Sequence, residues 1–376
     1  MTLQLIINKQ DVAPLLSAPP RISDDIDAVC RTLEFQLQAA EGLDNYLGQQ
    51  VELYVNGRRE FFGFLEVRSW DSNGTVTYKV FDPLYFLAKN PDDYYFPDGL
   101  TASQRAETVL KNVGVARGKI APTGVVLPAS FYKGAAGDQV IIDSLVKTVK
   151  AGGKKFWLRF DPSVESFGAT IFERKLPAEA WAFQRGVNLI SATYEESLED
   201  HYNVVVLVNR ETGKAVVKYD PQAIKDFGAR TYFEEVDKDH ANTMDRNALE
   251  LLKTGKQVKT NISIEGVNDD LVMPIFFVGD VIYVEDDMTQ AMGAYYIRRV
   301  EHTIHSSRRI TLVMDVELTP DVPAVIFEDA ERDARERNKK KAKKNKPTKT
   351  GAGVSENAAY SEEMQKLIEK YGLESK

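Results

Sequence analysis

Cysteine is nearly missing from this chain. Cys30 is the only one in 376 residues, which excludes an internal disulfide and any thiolate metal site and fits folding in a reducing cytoplasm. Histidine is scarce too, with only His201, His240, His302 and His305. The one close pair, His302 and His305, falls on an expected strand, where a spacing of three points side chains to opposite faces and makes poor joint ligands. No apolar run approaches the ~20 residues of a membrane span, so no membrane contact is expected. The first eight residues lack the basic and apolar regions of a signal peptide.

Catalytic signatures are equally thin. Gly152-Gly153-Lys154-Lys155 follows a helix pattern instead of preceding one, and Gly351-Ala352-Gly353 lies in a linker, so neither makes a phosphate-binding loop. There is no serine nucleophile elbow, and Cys30 has no catalytic sequence context. Asp269-Asp270 and Asp286-Asp287 offer paired carboxylates of the kind glycosidases use. Yet both sit where turns are expected, in a chain with 56 acidic residues. No catalytic residue, metal site or cofactor is expected.

What the chain does have is alternation. Val51, Leu53 and Val55 alternate with polar or amphipathic neighbours, and Asn56-Gly57 then supplies the dipeptide of a two-residue hairpin turn. Phe61, Gly63, Leu65 and Val67 share one face of the next strand. Asp71 to Gly74 turns again into Val76, Tyr78 and Val80. The stretch from Gly279 to Met314 repeats this plan: Val281 to Glu285, then Tyr295, Ile297 and Val300, then Ile310, Leu312 and Met314. Two related β modules account for this. So does the bare fact that every antiparallel meander shows alternation and turns.

Before residue 82, Leu3 to Ile7 and Thr32 to Leu37 add strands, with Pro19-Pro20 as an interruption between them. These strands suit a small barrel or half-barrel. Residues 83–187 change character into a mixed α/β section. Thr101 and Gln104 stand at capping-box spacing before a helix that Gly114 stops. A second helix is expected over about 139–150, then strands at Phe156–Phe160 and Ala169–Phe172. Within 188–322, strands are expected at Asn203–Val208 and Ala215–Tyr219. A short helix follows Pro221, a longer one covers about 239–253, and the second meander comes last.

Two features stand apart. Phe62 and Phe64 make the strand from Glu60 to Arg68 apolar on both faces, as Tyr295 and Tyr296 do in the later copy. Contact with another subunit explains this, and so does burial under the middle section. The second feature is the tail, residues 323–376. Residues 331–376 hold 13 Lys and Arg against 8 Asp and Glu, a net of +5, so with an overall charge of −8 residues 1–330 carry −13. The acidic body disfavours tight phosphate-backbone binding, or simply aids solubility. The lysine run from Lys339 to Lys346 reads as a solvated spacer or as a contact for an acidic partner, without the aromatic interleaving that stacks bases. Beyond it, Tyr360, Met364, Leu367, Ile368 and Tyr371 form one apolar stripe on a short helix, a candidate partner-binding face.

Several stretches in order resemble a known family. They are Arg31-Thr32-Leu33-Glu34-Phe35, Gly48 to Phe64 with its Asn-Gly turn, Ile224-Lys225-Asp226-Phe227-Gly228, Val278-Gly279-Asp280-Val281 and Arg299-Val300-Glu301-His302. Together they are similar to the contractile phage tail baseplate hubs of the XkdQ/YqbQ prophage type. These in turn resemble the late-control-gene-D hubs and the base of type VI secretion spikes. Residues 323–376 fall outside the resemblance.

The resemblance implies a mainly β fold with an α+β insertion. Two tail-tube-like antiparallel β-barrels would occupy 1–82 and 188–322, an α/β domain 83–187, and a charged linker with a C-terminal amphipathic helix 323–376. It implies a non-enzymatic homotrimer forming a pseudo-sixfold ring that joins a sixfold tail tube to a threefold spike. DNA would pass through its channel without specific binding. The implied partners are the tube and spike proteins and other baseplate proteins, such as wedge or tape measure. The implied location is the virion tail baseplate, assembled in the bacterial host cytoplasm. Two other readings are a tail-associated enzyme cleaving peptidoglycan or carbohydrate, and a β-rich module binding a cell-surface ligand through Tyr94, Tyr95 and Phe96.

Overall fold

In the computed structural model, which describes residues 3–38, 47–177, 180–211, 213–236, 244–269, 273–289, 291–306 and 309–317, the alternating stretches become strands. The first module comprises β1 (Leu3–Ile7), β2 (Gln10–Asp11), β3 (Leu16–Asp25), β4 (Thr32–Gln38), β5 (Gln50–Val55), β6 (Arg58–Trp70) and β7 (Thr75–Phe81). Asn56 and Gly57 both take positive φ, 52° and 79°, as the turn between β5 and β6 requires. On β7, Val76, Tyr78 and Val80 are buried and their neighbours are not. They join Leu33, Phe35, Leu37, Val51, Leu53 and Leu65 in one core.

Pro19-Pro20 does not interrupt the chain as the sequence implied, because both residues lie inside β3. The pairing of β3 with β4 slips between Leu16 and Ala18 and again between Ala18 and Arg21. The prolines thus sit where the ladder is already irregular and lacks a use for their missing N–H groups.

The middle section follows as α1 (Tyr85–Lys89), β8 (Asp92–Phe96), β9 (Leu100–Thr101), α2 (Ala102–Val113), β10 (Arg117–Ile120), β11 (Val126–Leu127), β12 (Ser130–Ala135), α3 (Gly137–Lys150), β13 (Phe156–Asp161) and β14 (Gly168–Glu173). The Thr101–Gln104 capping box is present and Gly114 ends α2 in the left-handed conformation. The stretch between Pro91 and Pro97 is a strand, β8, paired with β12. Tyr94 and Phe96 are buried there, while Tyr95 points outward.

This section also resolves the two-faced strand. Phe62 stacks near Phe160 and meets Phe167 edge-on, and Phe64 meets Phe86. Phe62 belongs to the core of the middle section, whereas Phe61 belongs to that of the first module. One strand therefore serves two cores.

The remaining elements are β15 (Trp181–Gln184), β16 (Leu189–Ser197), β17 (Val204–Asn209), β18 (Lys214–Tyr219), α4 (Pro221–Phe227), β19 (Thr231–Glu235), α5 (Met244–Gly255), β20 (Lys259–Asp269), β21 (Val281–Asp286), β22 (Ala291–Ser306) and β23 (Arg309–Glu317). Residues 195–260 form a compact unit of their own. In it the sheet β18-β17-β19 packs Val205 and Leu207 against Met244, Ala248 and Leu252 of α5, with Val204, Val206 and Ile224 on its other face. Asp220 caps α4 through the N–H groups of Gln222 and Ala223.

The second module has strand order β16-β20-β23-β22-β21-β15. Both modules belong to one 13-stranded sheet, because β22 also pairs with β3. The chain is mainly β with an α/β section, as expected. Through the pairing of β22 with β3, the hydrogen-bonded path runs from one module into the next.

Candidate functional site

The join between the modules is built by one long strand. The first part of β22, Ala291 to Tyr296, pairs with β21. A slip in the ladder with β23 between Ile297 and Arg299 leaves Arg298 as the extra residue. Such a bulge bends a strand. Past it, Arg299 to Thr303 pair with Asp25 to Arg21 of β3. Arg298 reaches Asp27 at 3.1 Å, and Ser23 donates to Glu301 at 3.4 Å.

Beneath the join lies a buried polar cluster. Arg31 is 3% exposed; its backbone N–H donates to Asp82 at 2.9 Å, and its side chain faces Asp24 at 4.0 Å. Its guanidinium stands 4.1 Å from the centre of the Phe277 ring, and that of Arg159 stands 4.7 Å from the same centre. Phe277 thus receives two cations, one from the first module and one from the middle section. Arg159 is held by Asp280 at 2.9 Å, and Asp280 also accepts the Phe277 N–H. Asp24 accepts from the Val278 N–H at 2.9 Å. Three parts of the chain therefore meet at the segment from Phe276 to Asp280.

Burial dominates the electrostatics here. It pushes the Asp82 carboxyl up to about 7, against the pull of the Arg31 and Leu84 N–H groups. It raises Asp24 and Glu60 as well. His302, 1% exposed, is pushed down to about 3 by burial and by the charge of Arg31. A neutral imidazole suits its contact, because Nε2 accepts the Phe276 N–H at 3.1 Å. His305 is exposed on the other face of β22, so the two histidines are not joint ligands.

The registers make the modules comparable residue by residue. In β6, Leu65 pairs with Val80 just before a slip between Leu65 and Val67. In β22, Ile297 pairs with Val316 just before its own slip. Counting outward, Val51 pairs with Gly63 and Ile282 with Tyr295. Leu33 pairs with Val80, and Ile262 with Val316. The apolar members of these matched pairs are buried in both copies. The spatial orders also agree: β1-β5-β6-β7-β4-β3 matches β15-β21-β22-β23-β20-β16. One difference is that β1 runs antiparallel to β5 while β15 runs parallel to β21.

A cleft of about 540 Å³ opens near Arg59, Glu60, Arg159, Asp161 and Phe277. Two of its carboxylates have structural tasks. Asp161 accepts from Ser163 and Ser166, and Asp280 holds Arg159. Of the suspected carboxylate pairs, Asp286 binds Arg185 and Thr289 and is held down at about 2 by those bonds; Asp270 lies outside the described residues. The proposed partner-binding stripe, Tyr360, Met364, Leu367, Ile368 and Tyr371, also lies outside them. The buried cluster escaped the sequence reading, since nothing local to Arg31 announces the ring of Phe277, far along the chain, as its partner.

The chain is similar to several tail proteins. It is 24% identical over 301 residues to the phage-like element PBSX protein XkdQ of Bacillus subtilis (strain 168), spanning 76% of this chain and 87% of that protein. Among solved structures, the 43 kDa tail protein of prophage MuSo2 from Shewanella oneidensis matches with a TM-score of 0.62 at 15% identity, covering 84% of this chain and 97% of that one. The E. coli c3393 protein, a type VI secretion component described as similar to the T4 tail proteins gp27 and gp5, matches with a TM-score of 0.54 at 12% identity, covering 86% and 80%. The fold is therefore one that phage tail proteins share. The YQBQ-like family model matches residues 21–319, and the chain belongs to that family.

Proposed function

We propose that this chain is the structural hub of a phage-type tail baseplate. Three copies form a ring in which six like modules surround an axis. One end of the ring meets a sixfold tail tube and the other a threefold spike, and its channel passes the genome without specific binding. Residues 1–82 and 188–322 supply the ring-forming sheets, with 83–187 as an accessory domain. The particle is a virion tail or a related contractile device, assembled in the host cytoplasm.

The observation that carries this reading is the matched register of the two modules within one polypeptide. Two equivalent sheets per chain let a threefold assembly present a sixfold face. The relatives support the setting, being tail and secretion-spike proteins by description. Residues 323–376 serve as a tether, with the stripe from Tyr360 to Tyr371 seated on a neighbouring baseplate component.

Mass photometry of the purified chain, alone and with its tail partners, tests the reading. A species of three times 42.2 kDa is expected, and a stable dimer overturns it. Bacterial cell walls in a zymogram are expected to stay intact; clearing would favour a wall-cleaving tail enzyme.

A further inference from the structure

Beneath the β22–β3 join, one charged side chain is buried with donors that nothing in the protein receives. Arg31 is 3% exposed, and its Nη1 donates to the Glu60 carbonyl oxygen at 3.3 Å. Among the described residues, its Nε and Nη2 meet no acceptor, although both are shielded from solvent. The Asp24 carboxylate stands 4.0 Å from Nε, beyond the length of a direct hydrogen bond. Arg159 Nε is orphaned in the same way. A buried charged donor without an acceptor costs stability.

A cavity of about 10 Å³ lies among these groups, lined by Asp24, Cys30, Arg31, Asp82, Trp157 and Arg159 with their neighbours. That is about the volume one water molecule needs. The lining suits water as well. Arg31 and Arg159 offer N–H donors. Asp24 Oδ2 accepts the Val278 N–H, and the two Asp82 oxygens accept the N–H groups of Arg31 and Leu84. A carboxylate oxygen has room for a second donor. The charged side chains of the lining are two arginines and two aspartates, a balance that favours neither a cation nor an anion over a neutral ligand.

We propose that this cavity binds one ordered water molecule, which accepts from Arg31 and donates to Asp24. A polar gap too long for direct contact is closed in this way at little cost. The water satisfies the buried guanidinium and ties it to the carboxylate that holds the Val278 N–H. It is thereby part of the contact between the first module and the segment from Phe276 to Asp280. The site stands independently of the hub reading.

A crystal structure of the full chain, at a resolution that shows ordered water, tests the site. A peak within about 3.2 Å of Arg31 Nε or Nη2 and of the Asp24 carboxylate is the expected result. A direct Arg31–Asp24 ion pair with no peak between them overturns the site. Anomalous signal at the peak after a bromide soak overturns water as its occupant. A second check uses Cys30→Val, which fills the cavity. Filling a dry cavity commonly stabilises a protein. Expelling a bridging water instead leaves the Arg31 donors bare. The urea midpoint of Cys30→Val is therefore expected to fall, with the peak lost from the variant's map. A midpoint that is unchanged or raised overturns the role of the water in holding the contact.

Discussion

Leu65 and Ile297 occupy the same place in two different modules. Each lies one residue before a bulge, each is opposite a valine, Val80 or Val316, and each is fully buried at 0% exposure. They are 232 positions apart, so no local propensity links them. A repeated packing solution does.

The matched positions differ where the surroundings differ. Gly63 stands where the second module has Tyr295. A Cβ on Gly63 would come within 2.3 Å of the Phe81 carbonyl oxygen, so the crossing of β7 demands glycine there. Gly63→Ala is expected to lower stability by about 1–3 kcal/mol, the usual cost of overpacking. The denaturant midpoint checks this.

His302 makes stability depend on pH in a defined direction. Its folded value, about 3, lies below its ordinary value of 6.5. Between those values the unfolded chain binds the extra proton, so this group removes stability as pH falls. Asp24, Glu60 and Asp82 are raised and act oppositely, favouring the folded chain as pH falls toward their ordinary values. In His302→Asn only the second effect remains. Relative to wild type, the slope of stability between pH 4 and 6.5 is expected to shift by about 1.4 kcal/mol per pH unit toward greater stability in acid. Melting temperatures of both proteins across that range measure it.

Arg174, whose side chain is 1% exposed, meets Glu317 of β23 at 3.0 Å and lies over the Tyr296 ring at 5.5 Å. Removing one partner of a buried pair leaves a charge uncompensated. Glu317→Gln is expected to cost about 3 kcal/mol or less, and Arg174→Met with Glu317→Leu to recover part of the loss. A double-mutant cycle on urea midpoints gives the coupling.

Truncation after residue 322 is expected to leave the melting temperature unchanged and to remove one tail component from a pull-down. Substituting Leu367 and Ile368 by Asp in the full chain should reproduce that loss.

Much of the fold was written in short patterns. The alternation of Val51, Leu53 and Val55, the Asn56-Gly57 turn and the Thr101–Gln104 box act within a few residues, and all three appear as expected. The doubled aromatics Phe62 and Phe64 signalled a second apolar face but left open whether another subunit or the middle section covered it. β3 was missed because Pro19-Pro20 usually breaks a strand, and its ladder tolerates them only by slipping twice. The β22–β3 join and the Phe277 cation pair were illegible, since both arise when residues about 120 to 280 positions apart are brought together by folding.

The most direct measurement is a cryo-electron microscopy map of the assembled protein. The account predicts three chains around one axis, with the two modules of each chain alternating as six like blocks that line a common channel. A map with two or four chains, or with the second modules turned away from the channel, would contradict it.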